Sequence, residues 1–273
     1  MAELTPAQVS EEYNESLIEE ILLALFLLRM GTVSSELKKI YQEGDPQAVI
    51  DNIDWDSFKA SLSTVVVNLT SAYSQGSVMA YNEKKSSNKG PKLDLTGPIA
   101  NQYLEEIKGM ISELVEATKR GTFAVTERLM EEGQGANTAV PLILALLGLT
   151  KDPAYSLLNT RKAQLVNGNP AKAVKETLEK QAEKALLNRS TLIGENESFG
   201  AVSRGRSDTW EQWLVAGFIA FQSKKQWVTR ADEFVCQVCG PLHLVTTLVG
   251  SPYPGGLYTT PAHPRCRCHE RLI

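Results

Sequence analysis

The feature that most constrains this chain is where its soft metal-binding side chains lie. All four cysteines and all three histidines of the 273 residues fall between Cys236 and His269. The stretch opens Trp227-Val-Thr-Arg-Ala-Asp232-Glu-Phe-Val-Cys236-Gln-Val-Cys239. After a turn-rich span it closes with Pro261-Ala-His263-Pro264-Arg-Cys266-Arg-Cys268-His269. Cys-x-x-Cys puts two sulfurs on one tight turn, and His263, Cys266 and Cys268 form a second cluster of donors. Two ligand pairs joined by a connector are the pattern of a closed tetrahedral zinc site with at most one imidazole. The expected ligands are Cys236, Cys239 and Cys266, with either His263 or Cys268 as the fourth, and the expected load is one zinc per chain.

Other uses of these residues fit less well. No signal peptide is expected, because no basic region precedes the first apolar run, and disulfides are rare in the cytosol. A redox pair at Cys236 and Cys239 would normally sit beside a βαβ pattern, which the sequence lacks. Ordinary buried thiols leave the clustering with histidine unexplained. A catalytic zinc needs an open coordination position, and four good donors leave none.

The motif Trp227-x-Thr-x-x-Asp232-x-x-Val-Cys236-x-x-Cys239, then Pro241-Leu242 and later Pro261-Ala-His263-Pro264-x-Cys266-Arg-Cys268, resembles the phage head morphogenesis family. These are minor head proteins related to the F protein of phage Mu. The family pattern continues Pro-Leu-Asp/His-Gly; here His243 matches and Leu244 stands where glycine is expected. Family members often carry Arg-x-x-x-Ile-Ala-Arg-Thr-Glu on an upstream helix. Arg189, Ile193 and Glu197 match it, Glu195 and Asn196 depart, and Ala201, Gly205 and Trp210 continue the match. The resemblance covers about residues 148–268. It implies a structural, non-enzymatic role in a tailed-phage head, at or near the portal, and a place in the virion after assembly in the host cytoplasm. The implied partners are the portal or major capsid protein, and packaged or ejected DNA. It also implies structural roles for Arg189, Glu197, Trp227 and Asp232.

The remaining residues read as helix. Thr5, Pro6 and Gln8 make a capping box at the start of a first helix, in which Leu17, Ile18, Ile21, Leu22, Leu25 and Phe26 recur at helical spacing. That stripe suits core packing, or docking into a groove on a partner. Further helices are expected from Ser34 to Tyr41, after Pro46, from Trp55 to Tyr81, from Ile99 to Lys119 and from Gly121 to Glu132. More follow from Val140, from Lys151, from Ala171 to Leu187 and from about Glu195 to Phe221, the last carrying Trp210, Trp213 and Phe218 as core. Lys84, Lys85, Ser86, Ser87, Asn88, Lys89, Gly90 and Pro91 have nothing to bury and read as a loop. Strand signals begin only with Trp227-Val-Thr229 and Leu244 to Val249. The expected fold is mainly α: an N-terminal helical region (1–90), a central helical region (91–222) and a small C-terminal α+β zinc-binding module (223–273).

Composition narrows the function. A net charge of −4 argues against a surface that binds nucleic acid throughout, although six basic and three acidic residues from Lys224 onward make that end locally positive. No apolar run reaches the ~20 residues that cross a bilayer, so no membrane partner is expected. There is no phosphate-loop motif and no His-Glu-x-x-His, and no histidine precedes Cys236 as a deaminase would need. The enzymatic alternative is a metal-dependent nuclease or other hydrolase using His243 or His269 beside the zinc.

Overall fold

The computed structural model describes residues 5–83, 90–230, 232–233 and 235–273. Lys84 to Lys89 of the expected loop lie outside them. Nine helices are described: α1 (Pro6–Gly31), α2 (Ser34–Gln42), α3 (Pro46–Asp51), α4 (Trp55–Ser61), α5 (Ser63–Glu83), α6 (Pro98–Glu131), α7 (Ala136–Leu146), α8 (Lys151–Val166) and α9 (Ala171–Val215). Three short strands close the chain: β1 (Lys224–Val228), β2 (Thr246–Leu248) and β3 (His269–Leu272). The chain is therefore mainly α with a small C-terminal sheet, as the sequence predicts. Among the described residues, no helix is long and apolar enough to cross a membrane.

Two compact units form. One gathers Met1–Ile18, Val65–Lys108 and Thr191–Ile273; the other gathers Glu19–Thr64 and Gly109–Ser190. Each is assembled from separated segments of the chain.

The capping box forms as read: the Thr5 N–H donates to Gln8 Oε1 at 2.8 Å and the Gln8 N–H to Thr5 Oγ1 at 3.4 Å. Leu17, Ile21 and Leu25 are buried as core, and Phe26 is exposed. Several helix boundaries differ from expectation. The stretch from Trp55 to Tyr81 is two helices, α4 and α5, separated at the buried Leu62. The expected breaks near Gly121 and between Leu187 and Glu195 are absent, and α6 and α9 run through them for 34 and 45 residues. At Gly121 the glycine is required by a neighbour and not by a turn. A Cβ there would lie 2.1 Å from the Leu149 carbonyl oxygen, so the helix continues and only its side chain is forbidden.

In the second unit, two arginines take up carbonyls at the end of α7. Arg29 donates to Ala145 O at 2.6 Å and to Leu147 O at 3.1 Å, and Arg189 donates to Gly148 O and, at 3.2 Å, to Thr118 Oγ1. The last carbonyls of a helix have no partner within it, and guanidinium groups satisfy them.

The first unit is organised by a close crossing of α5 and α9. A Cβ on Gly76 would lie 2.0 Å from Val202 O, and one on Gly205 would lie 1.9 Å from Tyr73 O. Beside the crossing, the Tyr73 hydroxyl donates to Asp208 Oδ2 at 2.7 Å, Arg204 Nε reaches both Asp208 oxygens at 2.9 Å, and Tyr73 stacks on Tyr103 at 4.3 Å. The described end of the expected loop and the residues just after it are fastened to α9, because Trp213 Nε1 donates to Pro91 O at 2.6 Å and the Asp94 N–H to Gln212 Oε1 at 2.7 Å. Trp210 and Trp213 are fully buried as expected, whereas Phe218 lies past the end of α9 and is exposed.

The sheet is antiparallel in the order β2-β1-β3, with Trp227 opposite Glu270 and Val228 opposite His269. β3 is the strand the sequence did not announce. On β1 the buried Lys225 meets the buried Glu270 at 3.3 Å, and Thr259 Oγ1 donates to the other Glu270 oxygen at 2.5 Å.

The crossing predicts its own mutants. Gly76→Ala or Gly205→Ala forces a methyl group into backbone, and overpacking of this kind should cost about 3 kcal/mol or more in denaturant unfolding. Gly109 in α6 has open space around its Cβ position. Gly109→Ala should instead stabilise by about 0.5–1 kcal/mol.

Candidate metal centre

The Cys236–Cys239 turn is closed by the Gly240 N–H donating to Cys236 O at 2.9 Å, and it leads into a 3-10 helix at Gly240–Leu242. The Cys239 N–H points back at Cys236 Sγ, 3.4 Å away. A backbone dipole aimed at sulfur favours the thiolate, and Cys236 is accordingly held below the ordinary thiol range. The second cluster rides on a turn in which the Cys266 N–H donates to His263 O at 3.1 Å, with Arg265 between them at φ 59°.

The two turns meet. His263 Nε2 lies 3.1 Å from Cys236 Sγ and 3.2 Å from Cys239 Sγ, and Cys239 Sγ lies 3.8 Å from Cys266 Sγ. Among the described residues, two donor triads result: Cys236, Cys239 and His263, and Cys239, Cys266 and Cys268. Cys239 belongs to both. All four cysteines are free thiols. A cluster of five soft donors at this spacing can hold a metal ion. Both candidates for the fourth position, His263 and Cys268, lie in a triad with Cys239.

The tautomer of His263 suits that task. Its Nδ1 sits 2.8 Å from the Pro264 carbonyl oxygen, which can only accept, so in the neutral ring Nδ1 carries the proton and Nε2 is the nitrogen left for a metal. Burial pulls His263 down, but the Pro264 carbonyl and the charges of Cys266 and Cys236 outweigh it, and the imidazole ends above its ordinary range. The sulfurs are unevenly charged without a cation. Cys266 is brought down to about 5, chiefly by the hydrogen bond from Cys268. Burial and then the Cys266 charge push Cys239 up to about 12. Cys268 is raised by its bond to Cys266 and by burial. Crowded thiols cannot all ionise together, and a bound cation removes that obstacle.

The surroundings hold the turns in place. Phe199, Trp227, Cys239, Leu242, Tyr253, Cys266 and Cys268 form one buried cluster, with Trp227 edge-on to Tyr253 at 5.2 Å. Asp232 takes a two-pronged ion pair from Arg267 at 2.7 and 2.8 Å, tying the segment before the first turn to the residue between the last two cysteines. Arg267 had no assigned role in the sequence reading, although its place in Cys266-Arg-Cys268 was visible.

Other expected site residues lie elsewhere. Arg189 serves the end of α7, where burial lowers it to about 10. Glu197 sits on α9, bonded by Asn196 at 3.0 Å and raised by burial. His243 Nδ1 lies 2.8 Å from Thr229 Oγ1, and His269 is on β3; neither belongs to the two triads. Searches against family models, curated proteins and solved structures found no match.

Cys239→Ser, which removes a donor from both triads, should abolish metal retention as read by elemental analysis. Separate His263→Ala and Cys268→Ala variants should lose metal unequally, the larger loss marking the fourth ligand. Glu197 is raised in the folded state, so its contribution is favourable at acid pH and is lost as pH rises through its folded value. Glu197→Gln should therefore raise Tm at neutral pH, and the gain should vanish on acidification below the ordinary carboxylate range.

Proposed function

We propose that this chain is a structural minor head protein of a tailed bacteriophage. In this reading it acts in head assembly at or near the portal, and a zinc ion closes its C-terminal module. The observation that carries the reading is how the signature residues between Trp227 and Cys268 are used. Trp227 is fully buried in the module, Asp232 is locked to Arg267, and the cysteines with His263 form two donor triads that share Cys239. Residues spent in this way hold a small fold together, which is what a structural zinc module requires. Zinc is favoured by the donors themselves, thiolates with an imidazole. At a Zn–S length of ~2.3 Å, the edge of a tetrahedron is about 3.8 Å, matching the 3.8 Å between Cys239 and Cys266. Zinc would act there as a cross-link, supplying fixed geometry to two turns and no chemistry of its own.

The partners in this reading are the portal or major capsid protein, and packaged DNA. Of the basic side chains near this end, Lys225 and Arg267 are spent on Glu270 and Asp232, while Lys224 and Arg230 are exposed. Phosphate contact would fall to these exposed groups.

The test is mass spectrometry of purified, DNA-filled particles from the phage or prophage that encodes the chain, with a deletion strain beside it. The chain should be present in the heads, and the deletion should lower infectious yield. Its absence from particles would end the reading. The purified, metal-loaded chain should not cleave DNA, RNA or peptide. Turnover that disappears in Glu197→Ala or His269→Ala would establish the hydrolase instead.

A further inference from the structure

α1 carries a second apolar face that the fold does not use. Ile21 to Leu28 is eight consecutive apolar residues, and only one side of them is buried. Ile21, Ala24, Leu25 and Leu28 point into the protein, whereas Leu23, Phe26, Leu27 and Met30 remain 56, 57, 49 and 69% exposed. At roughly 100° per residue, these four fall within an arc of about 100°, and its centre lies about 160° from that of the buried face. Val33, just past the helix, adds a fifth half-exposed side chain. A helix with one buried face is normally polar on the other, so this stripe calls for a cover.

The chemistry of the cover is narrowed by charge. On the same helix the stripe is preceded by Glu11, Glu12, Glu15, Glu19 and Glu20, with Arg29 as its sole basic residue, and Arg29 is committed to the carbonyls of Ala145 and Leu147. An acidic helix of this kind is repelled by nucleic acid and by anionic lipid, and interfacial membrane helices carry the opposite charge. A protein surface is left. The spacing of the stripe then points to its own copy. Leu-x-x-Phe-Leu-x-x-Met, with steps of three, one and three, reads the same in both directions. An antiparallel two-fold pair therefore sets Phe26 against the partner's Leu27 and Leu23 against the partner's Met30, at the i, i+3, i+4, i+7 positions used in helix–helix packing. The area is sufficient. Half-exposed side chains of this size leave roughly 500 Å² uncovered per copy, so a pair buries ~1,000 Å², the lower bound for a specific interface.

We propose that the Leu23–Met30 face of α1 is the contact of an antiparallel homodimer. Sedimentation velocity of the full metal-loaded chain, from about 1 to 100 µM, should show a monomer–dimer equilibrium with a Kd in the micromolar range. Phe26→Asp and Leu27→Lys should each weaken it by at least tenfold, with unchanged circular dichroism and metal content. Val166→Lys, at a still more exposed apolar side chain on α8, should leave it unaltered. A benzophenone amino acid at position 26 should cross-link to α1 of a second copy. A chain that stays monomeric at the top of this range overturns the proposal and assigns the face to a different protein. A dimer indifferent to Phe26→Asp, or cross-links that map outside α1, overturns it equally.

Discussion

The first unit depends on one backbone-to-backbone contact, the crossing of α5 and α9 at Gly76 and Gly205. Two helices approach this closely only where neither carries a side chain, and the approach fixes everything that α9 presents further on. Tyr73 reaches Asp208 because its own carbonyl lies against Gly205. One residue beyond that glycine, Arg206 stacks on Trp210, pairs with Glu83 and donates to the main-chain carbonyl of Glu270 on β3. The sheet is thus hung from α9 by a guanidinium whose position the crossing sets, and the metal centre is hung from the sheet.

Burial of charge does the rest. Strands of five, three and four residues cannot bury enough surface to hold a module of this size. Lys225 and Glu270 are both almost inaccessible, and each is costly without the other. Their pairing fixes β3 beside β1 in one register, since a slip of one residue would turn one of the two charges to the opposite face. At the other side of the cysteine cluster, Asp232 and Arg267 make a more exposed bracket. Between the two brackets, the chain from the first cysteine turn to the last has little regular structure.

Much of this was legible in the sequence for local reasons. The capping box at Thr5 and Gln8 and the convergence of Cys236, Cys239, His263 and Cys266 depend on residues a few positions apart, or on donor chemistry that has few other uses. What escaped depends on distant neighbours. Gly121 reads as a break until Leu149 is seen against it. β3 reads as a polar tail, His-Glu-Arg-Leu, until Lys225 and Arg206 are found to meet its acid and its carbonyl. Phe26 fits the helical period of the buried stripe yet lies outside it, because a run of uninterrupted apolar residues carries no phase from which to choose a face.

The sharing of Cys239 by two triads would have a kinetic consequence for a bound ion. An ion that took four ligands from the five donors would have a sulfur or imidazole held in reserve by the same turns. If an ion is held there, the donor left over could arrive before another departs, which would lower the barrier to exchange below that of a site whose ligands must leave first. Replacement by a softer ion, or surrender to a competing thiol, would then be fast. The turns would keep their geometry through the exchange, since Cys239 stays bound whichever triad is complete.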